Sequence, residues 1–533
     1  MSSFQTQLSV LQVSAAKHPS TTAVKVPQRE ATKTVWKDIT YSRLQQDVEA
    51  SARFWAHQFS NAGFQKRSVI GLWLGGKAYL DLIHIWGVAR AGFIPQSVSL
   101  RMTDPSVTYE LLSQANAVAL IHDPSFASFV VDSPLPVWPA ENVLSSDHAD
   151  LPLPDLWMPS QADEVTVIYH TSGSTSGIPK LVPITARWLD HSIDKMSHFL
   201  SAHPTAQKQD IIVSAGSFCH IASALLFTEL IRRGGCLIIP TNIPYEALEL
   251  RQLVDQYGLT CLNTFSSFLS RFIQQAREDP ELLLALQSLD HVVYSGLPLD
   301  SSDEAWARER SVNLINVFAC SEAGIMLQSH GGNGEDAETL QPLPGSCYEF
   351  VPLPGSSEQS DELLELVVNP ESGDCPVPSL RSSDGKFHTG DLFIQMTPGK
   401  YTAKGRNDDW IKMESAMRCD TGSIERNAME TCGNDLISVA IVTGAGRPSP
   451  ALIVEPRDDA AIASEAGIMS LKDEILQRVS PFHKRRYVHE RIDDSRFILV
   501  VPKGSMPRTA AKGNIQRSKV EEMFKDKLDE IYS

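Results

Sequence analysis

The sequence predicts an α/β protein with a large N-terminal domain built on mostly parallel sheets and a small α+β C-terminal domain. Up to about Asp336, apolar β-branched runs alternate with segments of helical spacing, a pattern typical of parallel α/β layers. Beyond Asp336, turns rich in Pro, Gly and Ser separate short strands, which predicts a β-rich subdomain. A smaller α+β unit then follows Lys404. We therefore place the domains at residues 1–404 and 405–533.

Hydrophobic periodicity predicts the individual elements. In the large domain we expect strands at 68–74, 117–122, 164–169, 210–215, 236–240, 291–294, 313–318, 363–368 and 392–396, and helices at 77–91, 185–195, 222–233 and 245–257. In the small domain we expect strands at 437–442, 451–454 and 497–501, and helices at 471–479 and 515–531.

Composition excludes several classes of function. The chain has 533 residues, 42% of them hydrophobic and 21% charged, as in globular proteins. A net charge of −17 argues against nucleic acid and anionic membranes as partners. No apolar run reaches membrane-spanning length, and the eight Cys contain no CxxC pair, so neither a zinc site nor a disulfide framework is indicated. We expect a cytoplasmic protein, because no targeting signal is found.

A loop dense in Gly, Ser and Thr follows the predicted strand 164–169 and ends at Lys180. Glycines allow backbone N–H groups to approach an anion, hydroxyls donate further hydrogen bonds, and the Lys adds positive charge. The Lys follows Pro and is not followed by Ser or Thr, so this is not a Walker loop. The loop predicts nucleotide handling, and the alternative is a flexible surface loop.

Four further segments contain residues suited to nucleotide chemistry. In 316–322, Glu322 could bind a divalent cation, Ser321 a phosphate oxygen, and Phe318 could stack on a base. In 387–391, Asp391 lies beside a predicted tight turn and could accept both hydroxyls of a ribose. Arg406 lies in a predicted loop with two carboxylates, and 507–517 is basic. Each segment alone is equally compatible with an ordinary turn, a linker or a solvated charge run.

In this order, the five segments resemble those of the adenylate-forming superfamily, which comprises acyl-CoA synthetases, luciferases and adenylation domains of nonribosomal peptide synthetases. The resemblance covers nearly the whole chain. The segments 408–413, 418–425 and 507–513 look most like the adenylation domain of fungal synthetase-like enzymes, especially adenylate-forming reductases.

The resemblance implies a role for each matching residue. The residues that match the phosphate loop are Thr171, Ser172, Gly173, Ser174, Thr175 and Lys180. Phe318 matches the adenine contact, Ser321 the phosphate contact and Glu322 the magnesium ligand, while Asp391 matches the ribose contact and Arg406 the contact to ribose and phosphate. Asp408 matches the hinge, and Lys512 matches the Lys that bridges the substrate carboxylate and the phosphate. Thr175, Lys180, Glu322 and Lys512 would be the catalytic members.

Three positions depart from the family pattern. Ser176 is an extra residue in the phosphate loop, and Ala319 replaces the usual Gly. Lys512 precedes Gly513, whereas most members have Gly and then Lys, which leaves Lys503 as a nearby competitor.

The resemblance further implies a reaction in two halves with ATP and Mg²⁺. A carboxylate would attack the α-phosphorus and release pyrophosphate. A mobile small domain would then rotate about Asp408 and admit a thiol. The acceptor would be the phosphopantetheine arm of a carrier domain, in cis or in trans, or CoA. The alternatives are a free-standing acyl-CoA ligase and a catalytically inactive nucleotide-binding module.

The substrate pocket departs from that of amino-acid-activating members, which have an Asp where this chain has Cys219. A thiol cannot pair with an α-ammonium unless it is ionised, so we expect a carboxylic acid without a free α-amino group, such as an aryl, keto, fatty or betaine-like acid. Alignment adds the further pocket candidates His220, Ser223, Asn263, Tyr294, Gly296, Val317 and Ile325.

Overall fold

A computed structural model describes most of the 533 residues. The described ranges are 4–30, 33–98, 105–144, 150–171, 180–199, 209–296, 298–334, 336–353, 363–407, 410–413, 418–484, 486, 490–508 and 515–532.

The described helices follow the predicted alternation with strands. They are α1 (Gln7–Lys17), α2 (Tyr41–Asn61), α3 (Tyr79–Arg90), α4 (Pro105–Gln114), α5 (Ala186–Met196), α6 (Ile221–Arg233), α7 (Ala247–Tyr257), α8 (Ser266–Ala276), α9 (Pro280–Ser288), α10 (Ser301–Glu309), α11 (Thr421–Cys432), α12 (Glu465–His483), α13 (Arg517–Met523) and α14 (Lys525–Tyr532).

Within the described ranges, four sheets are formed by the strands. They are β1 (Thr22–Glu30), β2 (Lys33–Thr40), β3 (Val69–Trp73), β4 (Ile94–Val98), β5 (Ala117–His122), β6 (Val137–Pro139), β7 (Val165–His170), β8 (Leu181–Thr185), β9 (Ile211–Ser214), β10 (Cys236–Ile238), β11 (Cys261–Phe265), β12 (His291–Ser295), β13 (Leu314–Cys320), β14 (Gly324–Ser329), β15 (Leu340–Pro342), β16 (Tyr348–Pro352), β17 (Leu364–Val368), β18 (Phe387–Thr397), β19 (Lys400–Arg406), β20 (Trp410–Lys412), β21 (Arg418–Asp420), β22 (Ile437–Thr443), β23 (Ala451–Pro456) and β24 (Ile498–Val500).

The largest sheet has 13 strands in the order β16-β17-β18-β19-β15-β14-β13-β12-β11-β9-β10-β1-β2. Its centre, from β13 to β1, is parallel, whereas β2 and the strands from β14 onward pair antiparallel. A second sheet of six strands, β6-β5-β3-β4-β7-β8, is parallel except for the β7–β8 hairpin. The predicted α/β class with mostly parallel sheets is confirmed.

Both faces of the large sheet are buried, as parallel strands require. One face shares a core cluster with the six-stranded sheet and helices α2, α3, α5 and α6, and includes Val293, Ile315 and Val317. The opposite face packs against α7 to α10 and includes Val292 and Tyr294. Because successive residues of a strand point to opposite faces, β12 contributes alternately to the two clusters.

The antiparallel strands β14 to β19 enclose a separate cluster around Leu366 and Phe393, which matches the predicted β-rich subdomain. From Ile411 onward, β20 to β24 and α11 to α14 form their own clusters. The predicted final helix is interrupted at Phe524, whose backbone (φ −102°, ψ 15°) lies outside the helical region, so two short helices replace one. Among the described residues, no helix has the length and apolar content needed to cross a membrane.

Candidate active site

The Gly/Ser/Thr-rich loop connects the two strands of the β7–β8 hairpin. Thr171 and Lys180 close its base: the Thr171 N–H donates to the Lys180 carbonyl (2.9 Å), and the Lys180 N–H donates to Thr171 Oγ1 (3.1 Å). The Lys180 side chain is exposed. Ser172, Gly173, Ser174 and Thr175 lie outside the described residues. Strand β8 separates the loop from α5, so the loop does not lead directly into a helix N-terminus.

Asp391 and Arg406 are cross-strand neighbours on β18 and β19. Arg406 Nη1 lies 3.3 Å from Asp391 Oδ1 and donates to the Thr389 carbonyl, also at 3.3 Å. The Asp391 side chain is 16% exposed, so this ion pair is accessible to a ligand. Such a carboxylate can accept hydrogen bonds from a sugar diol, and the guanidinium beside it can attract a phosphate.

The predictions of a tight turn at Asp391 and a loop at Arg406 were wrong. Both residues lie within strands, and the ladder is irregular at Asp391. Gly390 has φ +72°, a conformation that favours Gly, and a Cβ there would lie 3.0 Å from Arg406 Nη2. Gly-Asp therefore marks a bulge, which changes the direction of the side chain that follows.

Phe318 and Glu322 belong to the β13–β14 hairpin. Phe318 lies on β13, and its ring packs edge-on against Phe393 of β18, with ring centroids 5.1 Å apart and planes at 81°. Ser321 and Glu322 lie in the connecting turn. Cys320 lies between Phe318 and Ser321 in the sequence. Burial, and then the charges of Glu322 and Asp391, raise the pKa of the Cys320 thiol well above its usual value. Glu322 and Asp391 therefore both lie close enough to Cys320 to affect its thiol.

The residues present fit a magnesium ion held together with a nucleotide. No group of three or more His, Cys, Asp or Glu side chains suited to a metal occurs among the described residues. Mg²⁺ is commonly held by one or two carboxylates together with substrate phosphates and water. A single carboxylate at Glu322 matches that requirement.

Helix α5 supplies two contacts to the Glu322 turn that sequence reasoning missed. Trp188 Nε1 donates to the Glu322 carbonyl at 3.0 Å, and Lys195 Nζ donates to the Ala323 carbonyl at 3.1 Å. The available signal was a Lys seven residues after Trp188 on the same helix, a spacing that returns to the same face.

The predicted pocket residues lie partly together. Cys219 and His220 precede α6, and Ser223 lies in its first turn. Asn263 and Val317 share one face of the large sheet, because Asn263 pairs with Val293, and Val317 pairs with Ser295, two residues further along β12. Ile325 belongs to the same core cluster as Val317.

Tyr294 does not lie with them. It packs in the cluster on the opposite face, and its hydroxyl donates to Glu304 Oε1 of α10 at 2.9 Å. Successive residues of a strand point to opposite faces, so Tyr294 is not on the face that Asn263 and Val317 share. Val293 and Ser295 lie on that shared face, whereas Gly296 follows the end of β12 with φ +97°.

Cys219 is a buried, neutral thiol. Its side chain is directed toward the Leu74 carbonyl, with Sγ 3.8 Å from the oxygen, and the residue is 2% exposed. Burial and then the charge of Asp81 raise the pKa of the Cys219 thiol to about 12. Asp81 Oδ2 in turn accepts the N–H groups of Lys77 and Ala78, both at 2.9 Å. Cys219 therefore carries no charge at neutral pH.

A cleft of about 20 Å³ lies beside Ser223 between α6 and strands β9 and β10. Its walls are mostly apolar, with Lys77 and the hydroxyls of Ser214 and Ser223 as polar members. Asn263 Nδ2 donates to Ser214 Oγ at 3.1 Å, which joins the cleft to the predicted pocket. Gly216 also lines the cleft, and a Cβ there would be 2.0 Å from Ser223 Oγ.

Lys512 and Asp408 lie outside the described residues. The chain on either side of Lys512 is held in the small domain by an antiparallel bridge between Arg508 and Ile515. Glu455, which is 1% exposed, accepts from Arg508 Nη2 (2.8 Å) and from the Met506 N–H (3.0 Å). The competitor Lys503 is exposed, and its Nζ contacts the Arg457 carbonyl at 3.4 Å.

Comparison with known families gives two matches along the chain. Residues 11–356 match the AMP-binding enzyme model, and residues 408–533 match the AMP-binding enzyme C-terminal domain. The AMP-binding domain-containing enzyme iboA of Amanita muscaria is 34% identical over 486 residues, which covers 89% of this chain and 92% of iboA. Other fungal relatives are named adenylate-forming or carboxylic acid reductases, and the chain spans half of their length or less.

Solved structures share the fold at low sequence identity. The anthranilate CoA ligase AuaEII, in complex with anthranoyl-AMP, aligns with a TM-score of 0.71 and 16% identity over 98% of each chain. The McyG A-PCP structure with phenylalanyl-adenylate aligns with a TM-score of 0.72 and 15% identity over 100% of this chain and 85% of that one.

Proposed function

Because this chain belongs to the AMP-binding enzyme family and is an adenylate-forming ligase that activates a carboxylic acid with ATP, we propose that its substrate lacks a free α-amino group and that the acyl group passes to a thiol. The observation that carries the substrate proposal is Cys219. Its thiol is neutral, so it offers no counter-charge to an α-ammonium, and a buried ammonium without a partner is costly. Aryl, keto, fatty and betaine-like acids remain the candidate classes.

In the proposed mechanism the site positions reactants and neutralises charge. The substrate carboxylate is ionised at neutral pH and needs no general base. Asp391 and Arg406 would hold the ribose and the adjacent phosphate, and Phe318 would contact the adenine. Thr171, Lys180 and the loop between them would surround the phosphates. Glu322 would hold Mg²⁺, which supplies positive charge to the departing pyrophosphate.

We propose domains at residues 1–404 and 405–533, with Asp408 as the hinge of a mobile small domain. Lys512 would bridge the substrate carboxylate and the phosphate during adenylation. Rotation would then remove Lys512 and admit the thiol. We favour the phosphopantetheine arm of a carrier domain as acceptor, supported by the chain's similarity to an adenylation domain solved with its carrier. The rival acceptor is CoA, supported by its similarity to a CoA ligase.

The proposal is tested by ATP-dependent pyrophosphate release across aryl, α-keto, fatty, betaine-like and α-amino acids. We expect release with one class that lacks a free α-amino group. Release with α-amino acids would contradict the Cys219 argument. Asp81 would then be the candidate carboxylate that pairs with the α-ammonium. CoA or a phosphopantetheinylated carrier protein is then added together with the acid that supports pyrophosphate release. The thioester that forms identifies the acceptor.

The cleft yields a second prediction. Gly216→Ala places a methyl group against Ser223 Oγ and is expected to raise the KM of the acid about 10-fold or more, with the KM of ATP unchanged, because the methyl group displaces a proposed pocket side chain and no proposed nucleotide contact. Steady-state pyrophosphate release measures both constants. Gly334→Ala is the matched control, since a Cβ there meets no atom within 4 Å. An equal rise in both KM values would show that Ser223 does not contribute specifically to the acid site.

A further inference from the structure

Helix α5 connects the phosphate-loop hairpin to the turn that contains Glu322. The helix starts directly after β8, and the Thr185 side chain caps it by accepting the Trp188 N–H at 3.3 Å. Trp188 and Lys195 lie seven residues apart, so they extend from one face of the helix. That face lies against the β13–β14 hairpin, which is distant in sequence.

Trp188 fixes the turn through its indole. The side chain is almost fully buried, with 2% exposure, and Nε1 donates to the Glu322 carbonyl at 3.0 Å. Gly324 follows the turn with φ +69°, and a Cβ at Gly324 would lie 3.2 Å from Cη2 of Trp188. The absence of a side chain at Gly324 therefore allows the indole to lie close to the backbone of the turn.

Lys195 hydrogen-bonds to the next carbonyl of the turn, that of Ala323. Its ammonium has three N–H donors, and three acceptors surround it: the Ala323 carbonyl at 3.1 Å, the Tyr348 hydroxyl at 3.2 Å and Asp374 Oδ2 at 2.5 Å. The side chains of Lys195 and Asp374 are 1% and 0% exposed. An ammonium this deeply buried is retained only where every donor is satisfied.

Asp374 keeps this ammonium in place. Burial by itself would raise the pKa of the Asp374 carboxyl, but the Lys195 charge and the hydrogen bonds from Lys195, Ser372 and Tyr348 outweigh it and hold the pKa below its usual value. Asp374 is therefore ionised at neutral pH. It pairs with Lys195, whose ammonium also donates to the Ala323 carbonyl next to Glu322.

We propose that Trp188 and Lys195 are positioning residues that hold the Glu322 turn in the geometry needed for metal binding, and that α5 thereby couples the turn to the phosphate-loop hairpin. Neither side chain touches the nucleotide in this proposal, because both act through the carbonyl groups of the turn. The inference rests on the proposed role of Glu322 as the magnesium ligand.

The direct test is Trp188→Phe, which removes the indole N–H and retains an aromatic ring. We expect Mn²⁺, used as a spectroscopic probe in place of Mg²⁺, to bind about 10-fold more weakly in the presence of a non-hydrolysable ATP analogue, as measured by electron paramagnetic resonance. In pyrophosphate release, the half-saturating Mg²⁺ concentration should rise by a similar factor, while the KM of the acid stays unchanged.

Trp36→Phe is the matched control. Trp36 is also buried, at 6% exposure, and its Nε1 donates to a backbone carbonyl, that of Ile239, at 2.8 Å. The control should lose comparable thermal stability and retain wild-type Mn²⁺ affinity. If both variants bind Mn²⁺ equally, the positioning role of Trp188 is disproved.

Glu322→Gln separates failure of the inference from failure of the metal assignment. If Glu322→Gln leaves Mn²⁺ binding unchanged, Glu322 is not the ligand and the premise is wrong. If Glu322→Gln weakens binding and Trp188→Phe does not, only the positioning inference fails. Should Trp188→Phe prove unstable, Lys195→Met combined with Asp374→Leu tests the same coupling without leaving an unpaired charge, and it must also weaken Mn²⁺ binding.

Discussion

Lys195→Met is expected to lower the free energy of unfolding of the large domain by about 3–5 kcal/mol, because it leaves the Asp374 carboxylate buried without a counter-charge. The Tyr348 and Ser372 hydroxyls would still donate to Asp374, but the ammonium that lies 2.5 Å from its carboxylate would be gone. Urea denaturation followed by tryptophan fluorescence measures the loss as a lower midpoint at an unchanged slope.

Two controls distinguish the cost of a buried unpaired charge from the loss of an ion pair as such. Lys195→Met combined with Asp374→Leu removes both charges and should recover most of the lost stability, since replacing a whole buried pair with apolar side chains is often neutral or stabilising. Lys25→Met breaks a pair of similar length, 2.6 Å, whose Asp38 is 53% exposed, and should cost less than about 1 kcal/mol. Equal losses for Lys195→Met and Lys25→Met would contradict the argument.

The same pair has a predictable dependence on pH. The pKa of Asp374 is lower in the folded protein than its ordinary value of 3.8, so its ionisation contributes stability above that value. The contribution is lost as the pH falls through the folded pKa. The difference in unfolding free energy between the wild type and the double variant should therefore change most steeply in strongly acidic solution. His191 adds a smaller change at higher pH, because its pKa, which burial lowers, also depends on the charges of Asp374 and Lys195.

Short-range patterns predicted the elements they marked but did not mark all of them, since β1, β2 and α2 were not predicted. Strand β5 was predicted at its observed bounds, and most other elements within a few residues, because apolar periodicity reports burial directly. The bulge at Gly390 was mistaken for a turn because Gly supplies the same positive φ in both settings. Sequence alone does not distinguish the two, since the difference lies in how the neighbouring strands pair.

Two features of the site depended on contacts between distant parts of the chain. The position of Tyr294 on the opposite face became visible only from the pairing of β12 with β11 and β13, which assigns each residue to a face. The bond from Trp188 to the Glu322 carbonyl spans 134 residues, and the one from Lys195 to Asp374 spans 179. Motifs mark residues that touch the nucleotide, whereas residues that hold those motifs in place have no local signature.

Lys512→Ala is expected to reduce acid-dependent pyrophosphate release by about 100- to 1,000-fold, the usual cost of removing one preorganised positive group from a site where charge develops. Thioester formation from a preformed acyl-adenylate should stay within a few-fold of wild type, because Lys512 would leave the site before the thiol attacks. The two half-reactions are measured separately, as pyrophosphate release from ATP and as AMP release on addition of the thiol acceptor.

Lys503→Ala is the control that distinguishes the two lysines. Lys503 Nζ contacts the Arg457 carbonyl, and its backbone N–H donates to Asp459 Oδ1 at 3.2 Å, so both contacts lie within the small domain. Its removal should therefore leave both half-reactions intact. Loss of adenylation in Lys503→Ala but not in Lys512→Ala would assign the role to the competitor. Equal loss of both half-reactions in Lys512→Ala would mean that this Lys acts in both steps or supports the fold, and either outcome contradicts removal of Lys512 by rotation of the small domain.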